Sequence, residues 1–144
     1  MSKYKNLDRF LLVDDNKASN FLHQLIIEEM KLDATVDIVR NGVEALEFLT
    51  GKGNPLYKNA SEKQGIILLD ISMPLMNGWE FLEAYDKLTV EQKGKFVIVI
   101  VTTSLNRKDK SLADSNPNVH GFVSKPLSLE LLRGIVEKHF EIVK

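Results

Sequence analysis

Apolar residues in this chain follow two alternating rhythms. Five short runs rich in Val, Ile, Leu and Phe occupy residues 9–13, 34–39, 66–69, 96–101 and 119–124. Between and after them, apolar positions recur every three or four residues, the spacing of one helix face. Ala18, Leu22, Leu25, Ile26 and Met30 make the first such stripe, with Asn16 placed to cap it. Val43, Leu46 and Leu49 mark a second helix opened by Asn41-Gly42, and Trp79, Leu82 and Tyr85 mark a third. A weaker helix is expected over 106–114, and Ser128 is placed to cap a last one carrying Leu132, Ile135, Val136 and Phe140.

Strict alternation of strand and helix predicts an α/β fold, a doubly wound parallel sheet with right-handed crossovers and helices on both faces. The run 96–101 is almost entirely apolar and β-branched, as a strand buried on both faces should be. One segment, 50–64, exceeds the usual two to six residues of an αβ connection. A tolerated surface insertion is the simpler account. The alternative is a partner-binding loop with Leu56 and Tyr57 as its apolar handles. Neither an internal repeat nor a low-complexity tract is present. The expectation is one domain over residues 1–144, with its core over about 8–140.

Composition changes this picture mainly by exclusion. At 44% hydrophobic and 27% charged residues, the chain is ordinary for a globular protein. A net charge of −1 argues against binding nucleic acid by phosphate neutralisation. Arg107-Lys108-Asp109-Lys110 is the densest basic stretch, and a solvated face accounts for it. The absence of cysteine rules out disulfides and thiolate metal sites and fits a reducing compartment. No apolar run approaches the ~20 residues of a membrane span, and the N-terminus lacks the apolar stretch of a secretion signal. A cytoplasmic location is expected.

Three of the strand-like runs end in charged groups. Leu11-Leu12-Val13 runs into Asp14-Asp15, Ile66-Ile67-Leu68-Leu69 into Asp70, and Phe122-Val123-Ser124 into Lys125-Pro126. In a parallel sheet of order 2-1-3-4-5, strands one and three are neighbours at the topological switch point, which would collect these groups at one edge. Carboxylates ~4 Å apart repel by about 4 kcal/mol at an effective dielectric near 20, so such a cluster calls for a cation. Oxygen donors without nearby His or Cys suit Mg²⁺. A carboxylate beside that ion can attack phosphorus and carry an aspartyl phosphate. Lys125 could pair with Asp70 in the empty site and with a phosphoryl oxygen in the loaded one. Thr102 and Thr103, closing strand four, supply hydroxyl donors. Pro126 fixes the turn after Lys125, and a cis Lys-Pro bond is one option there.

These residues, in this order, resemble the receiver domain of two-component response regulators from about Asp8 to Phe140. The resemblance rests on Leu12-Val13-Asp14-Asp15-Asn16, on Leu69-Asp70-Ile71-Ser72-Met73-Pro74-Leu75-Met76-Asn77-Gly78, on the threonine ending strand four, and on Lys125-Pro126. It implies a flavodoxin-like fold of five strands in the order 2-1-3-4-5. It implies that Asp70 accepts a phosphoryl group from a sensor histidine kinase or a histidine phosphotransfer protein. Asp15, Asp70 and the backbone carbonyl of Ser72 would hold Mg²⁺, with Asp14 acting through a coordinated water. Lys125 would bridge to the phosphoryl group, and Phe122 sits at the family's rotating aromatic switch. The usual spacing back from the lysine points to Thr103 as the switch hydroxyl, whereas counting forward from the apolar strand points to Thr102. A lengthened turn at Ser115-Asn116-Pro117-Asn118 accounts for the offset, so Thr102 is chosen and Thr103 takes the adjoining small-residue position. Two departures stand out. Phe122 lacks the hydroxyl of the commoner tyrosine, and Ser72 and Ser104 occupy the variable positions that tune phosphoryl lifetime.

Each piece alone has a plainer account. Asp14-Asp15 could be a helix-entry pair, Asp70 a turn residue, Lys125 ordinary surface, and Asn77-Gly78 a turn opening the third helix. His23, His120 and His139 show no metal spacing, Trp79 and Phe81 read as packing residues, and Gly51-Lys52-Gly53 lacks Walker spacing. The leading function is a phosphorylation-switched signalling module, not an enzyme beyond promoting its own phosphorylation and dephosphorylation. It would repack the face formed by the fourth helix, fifth strand and fifth helix for a protein partner or a second copy of itself. With the chain ending at Lys144, action through another protein is expected. The alternative is a Mg²⁺-dependent phosphohydrolase of haloacid dehalogenase type, although its general acid would fall at position 72, which is serine. A flavin binder is disfavoured because no phosphate-binding loop follows strand one. A degenerate, unphosphorylated receiver is disfavoured because every expected site residue is present.

Overall fold

The structure, a computed structural model, describes residues 4–52 and 64–143. Leu56 and Tyr57, the handles suggested for a partner loop, lie outside the described residues. The elements run β1 (Arg9–Val13), α1 (Lys17–Glu29), β2 (Thr35–Val39), α2 (Gly42–Thr50), β3 (Gln64–Leu69) and α3 (Gly78–Asp86). They continue as α4 (Val90–Lys93), β4 (Lys95–Thr102), α5 (Arg107–Ser115), β5 (Gly121–Ser124) and α6 (Leu129–His139). The strands form one parallel sheet in the order β2-β1-β3-β4-β5, as expected.

Alternation along the strands divides the interior into two layers. Leu11, Val13, Ile67, Leu69, Ile98 and Ile100 face α2, α3 and α5, where Phe48, Phe81, Leu82 and Ala113 close the packing. Phe10, Leu12, Ile66, Leu68, Val99 and Val101 face α1 and α6 and meet Ile26, Ile27, Leu132 and Val136. Fully burying each large apolar side chain is worth about 1.5–3 kcal/mol. Both layers are needed, because a parallel sheet exposes no face to water.

Caps fall where the sequence places them. Asn16, Asn41, Asn77 and Ser128 each accept a backbone N–H from the first turn of the following helix, and Asn77 forms a reciprocal capping box with Glu80. Asn106 caps α5 in the same way. Two features depart from the sequence pattern. The four-residue helix α4 was not expected; it buries none of its residues, so no apolar periodicity could announce it. The first helical stripe also splits. Ile26 and Met30 are buried, but Ala18, Leu22 and Leu25 face outward beside Phe21, and the inward face uses Asn20 and His23 instead. With α4 inserted, the face expected from the fourth and fifth helices consists of α5, β5 and α6. Among the described residues no helix is long and apolar enough to cross a membrane.

The connection from β3 to α3 is tightly wound. Gly78 N–H donates to Ile71 O at 2.9 Å, Met76 N–H reaches Pro74 O at 2.6 Å, and Leu75 between them takes a φ of 64°. Gly42 N–H donates to Met76 O at 2.9 Å and anchors the loop to α2. A Cβ at position 78 would sit 2.6 Å from the carbonyl oxygen of Asp70 and 3.0 Å from Ile71 Cα, so this glycine permits the close approach. Gly78→Ala should therefore cost about 1–3 kcal/mol, read as a lower urea midpoint at unchanged slope, because backbone and not a flexible side chain must give way.

Candidate functional site

Backbone ladder bonds continue past the strand ends and carry the charged residues into place. Asp14 N–H donates to Val39 O at 3.0 Å, Asp70 N–H to Val13 O at 2.9 Å, and Lys125 N–H to Thr102 O at 2.8 Å. Asp14, Asp70 and Lys125 are thus held at one edge of the sheet by hydrogen bonds from neighbouring strands. One oxygen from each of Asp14, Asp15 and Asp70 lies within 4.8 Å of the others. Asp14 and Asp70 are buried, at 3% and 8% exposure, while Asp15 is open to solvent.

Lys125 Nζ sits 2.7 Å from Asp14 Oδ2 and 3.8 Å from Asp70 Oδ2. The expected pairing with Asp70 is present, but the shorter contact is with Asp14. Nζ also donates to Ser19 Oγ at 3.2 Å, tying the end of β5 to α1. Asp14 Oδ1 accepts Asn16 N–H at 2.9 Å, and its carbonyl accepts Asn20 Nδ2 at the same distance. Asp70 Oδ1 accepts Ile71 N–H at 2.9 Å. The Lys125-Pro126 peptide is cis.

One ammonium does not balance three carboxylates, and the imbalance falls on Asp70, the buried carboxylate farther from it. The Asp70 pKa is pushed up from 3.8 to about 6, by burial first and by the Asp14 charge second. Lys125 and the N–H groups of Ile71 and Ser72 oppose that rise. The clustered hard oxygen donors suit a divalent cation such as Mg²⁺, which takes a few carboxylates and keeps several waters.

Thr102 is 1% exposed, and its Oγ1 accepts Ser104 N–H at 3.1 Å; Thr103 next to it faces solvent. Phe122 is half-buried on β5, packed against the α2–α3–α5 layer, with Lys110 Nζ 5.7 Å above its ring. Ser72 is exposed and Ser104 half-buried. His23 is buried, and its pKa is lowered by burial and then by Lys125. His120 and His139 lie far along the chain from the acids and meet each other edge to face at 5.8 Å.

Sequence reasoning missed Ser19 and Asn20, both wired to the cluster from α1. Their signal was a pair of polar residues in the first turns of a helix that follows the acids directly. It also missed a partner for Trp79, whose Nε1–H donates to Asp109 Oδ1 at 3.2 Å.

Comparison with known proteins shows the family. The family described as the response regulator receiver domain matches residues 10–137. Response regulator Rcp1 of Synechocystis is 33% identical over 127 residues, covering 88% of this chain and 82% of that protein. The crystal structure of a two-component response regulator from Cytophaga hutchinsonii is similar at 31% identity and a TM-score of 0.76, covering 93% of this chain and 97% of its own. The Mn²⁺-bound form of Rcp1 is similar at 27% identity and a TM-score of 0.75, covering 95% of this chain and 97% of its own. Nothing in these matches supports a haloacid dehalogenase. The chain belongs to the response regulator receiver domains, the phosphorylation-switched modules of two-component signalling.

Proposed function

We propose that Asp70 is the phospho-acceptor of this chain and that transfer to it depends on Mg²⁺ held by Asp15, Asp70 and the Ser72 carbonyl, with Asp14 acting through water. The observation that carries this reading is the three carboxylates gathered within 4.8 Å of one another beside the Lys125 ammonium. The Asp70 carboxylate attacks phosphorus as the P–N bond of a phosphohistidine breaks, and the departing imidazole takes up a proton. Lys125 then stabilises the phosphoryl oxygens as a point charge, and the Thr102 hydroxyl donates to one of them. When bound, Mg²⁺ supplies positive charge against the carboxylates and the charge developing on the phosphoryl group.

The donor is a histidine kinase or a phosphotransfer protein, and an apolar face for it lies beside Asp15. Phe21 of α1 lines the same shallow depression as Asp15, and Leu22 and Leu25 are exposed further along the helix. The phosphorylated residue gains about −1.5 to −2 charges. Phe122 turns as Thr102 moves, and the α5–β5–α6 face is repacked for a downstream protein or a second copy. The chain acts in the cytoplasm and turns over no substrate other than its own aspartyl phosphate.

Incubation with acetyl phosphate and Mg²⁺ should add one base-labile phosphoryl group, seen as an intact-mass increase. Asp70→Asn should abolish it. Labelling of that variant at the wild-type rate would assign the acceptor elsewhere.

The raised Asp70 pKa also predicts a pH effect. The folded state holds the Asp70 proton more tightly than the unfolded chain does, so unfolding releases it between about pH 4 and pH 6. Stability therefore falls as pH rises through that window, by up to about 3 kcal/mol at 1.36 kcal/mol per unit. With chelator present, the wild type should be less stable at pH 7 than near pH 4.5 by about 2 kcal/mol of this contribution, and Asp70→Asn should melt higher than wild type at pH 7. A variant that melts at or below wild type would mean that Lys125 already balances the cluster.

A further inference from the structure

The loop between β4 and α5 is held by a chain of hydrogen bonds that starts at the Thr102 hydroxyl. Ser104 N–H donates to Thr102 Oγ1 at 3.1 Å. The Ser104 hydroxyl donates to Asp109 Oδ2 at 2.6 Å and accepts Asn106 N–H at 3.2 Å. The other oxygen, Asp109 Oδ1, accepts the indole N–H of Trp79 at 3.2 Å. One half-buried carboxylate on the first turn of α5 thus receives a donor from the loop and another from α3. Bonds to an ionised acceptor are stronger than neutral ones, and partial burial keeps water from replacing them.

This geometry bears on phosphoryl transfer through Thr102. A turn or shift of Thr102 that brings its O–H to an incoming phosphoryl oxygen strains or breaks its bond from Ser104 N–H. Ser104 cannot follow freely, because its hydroxyl is fixed to Asp109, and Asp109 is fixed in turn to Trp79. Resting on the assignment of Asp70 as acceptor, we propose that Asp109 is a positioning residue. By clamping Ser104 to Trp79, it keeps the Thr102 hydroxyl engaged with the loop and sets how readily Asp70 is phosphorylated. Phosphorylation then reaches α3 along the same bonds, and Trp79 loses its carboxylate partner.

The chain contains one tryptophan, so its emission reports on this contact without a label. The test compares the full chain with Asp109→Ala, Asp109→Asn and Trp79→Phe, using acetyl phosphate and Mg²⁺ and varying donor concentration. In wild type, phosphorylation should shift the tryptophan emission. In Asp109→Ala the unphosphorylated protein should already show the shifted emission, with no further change on phosphorylation. Its maximal labelling rate should rise roughly tenfold, the population shift expected from losing a charged hydrogen bond, at unchanged KM for the donor. Asp109→Asn can accept from Trp79 and donate to Ser104 Oγ, and should restore wild-type emission and rate. Trp79→Phe should raise the rate in the same direction, and it serves as the test if Asp109→Ala does not fold cooperatively. An Asp109→Ala protein that matches wild type in rate and emission, or one that is slowed and not rescued by asparagine, would overturn this inference alone. A wild type that takes up no phosphoryl group would overturn the acceptor assignment instead.

Discussion

All five strands run in one direction, and every other feature of the site follows from that constraint. Parallel pairing places each strand's carboxyl end on the same edge, so residues that follow different strands become neighbours. The ladder continues one residue further, through Asp14 N–H to Val39 O, Asp70 N–H to Val13 O and Lys125 N–H to Thr102 O. These are backbone bonds within a sheet covered on both faces, so the charged groups inherit its rigidity. A site built this way is positioned before any ligand arrives.

The same placement works against stability. Burial raises the Asp70 pKa, the adjacent Asp14 raises it further, and one lysine shared among the acids cannot cancel both effects. Lys125 divides itself unequally, close to Asp14 at 2.7 Å and further from Asp70 at 3.8 Å. That division leaves Asp70 the carboxylate farther from the ammonium, which suits the acceptor role proposed for it. Two apolar layers on either side of the sheet supply the stability that such an arrangement spends. Removing Lys125 would leave the buried Asp14 and Asp70 charges without their cation, which is why the pair is better read as a device of the site than as a stabiliser.

Much of this was legible in the residues. The strands β1, β3 and β4 announce themselves because burial on both faces leaves nearly uninterrupted apolar runs, and 96–101 is the plainest case. The caps Asn16, Asn41, Asn77 and Ser128 are legible because a side-chain oxygen before a helix has a definite task. The first helix was harder. Its apolar positions serve two masters, with Ile26 and Met30 packing inward while Leu22 and Leu25 face outward beside Phe21. Periodicity counts apolar residues and does not say which of them a partner covers. The helix at Val90 was invisible for the opposite reason, since it buries nothing.

By itself, the order of residues determined the kind of fold, the positions of its strands and the chemistry of the groups at their ends. Apolar runs and polar punctuation are local properties, and hydrogen-bonding geometry turns them into elements with little help from distant parts of the chain. Only the tertiary structure decided who meets whom: Lys125 closer to Asp14 than to Asp70, Ser19 and Asn20 drawn to the acids, Trp79 bound to Asp109. Those contacts join residues on different elements, and their distances depend on sheet register and helix packing. Electrostatic and hydrogen-bond energies change steeply over an ångström, so the partition of charge within the cluster had to wait for three dimensions.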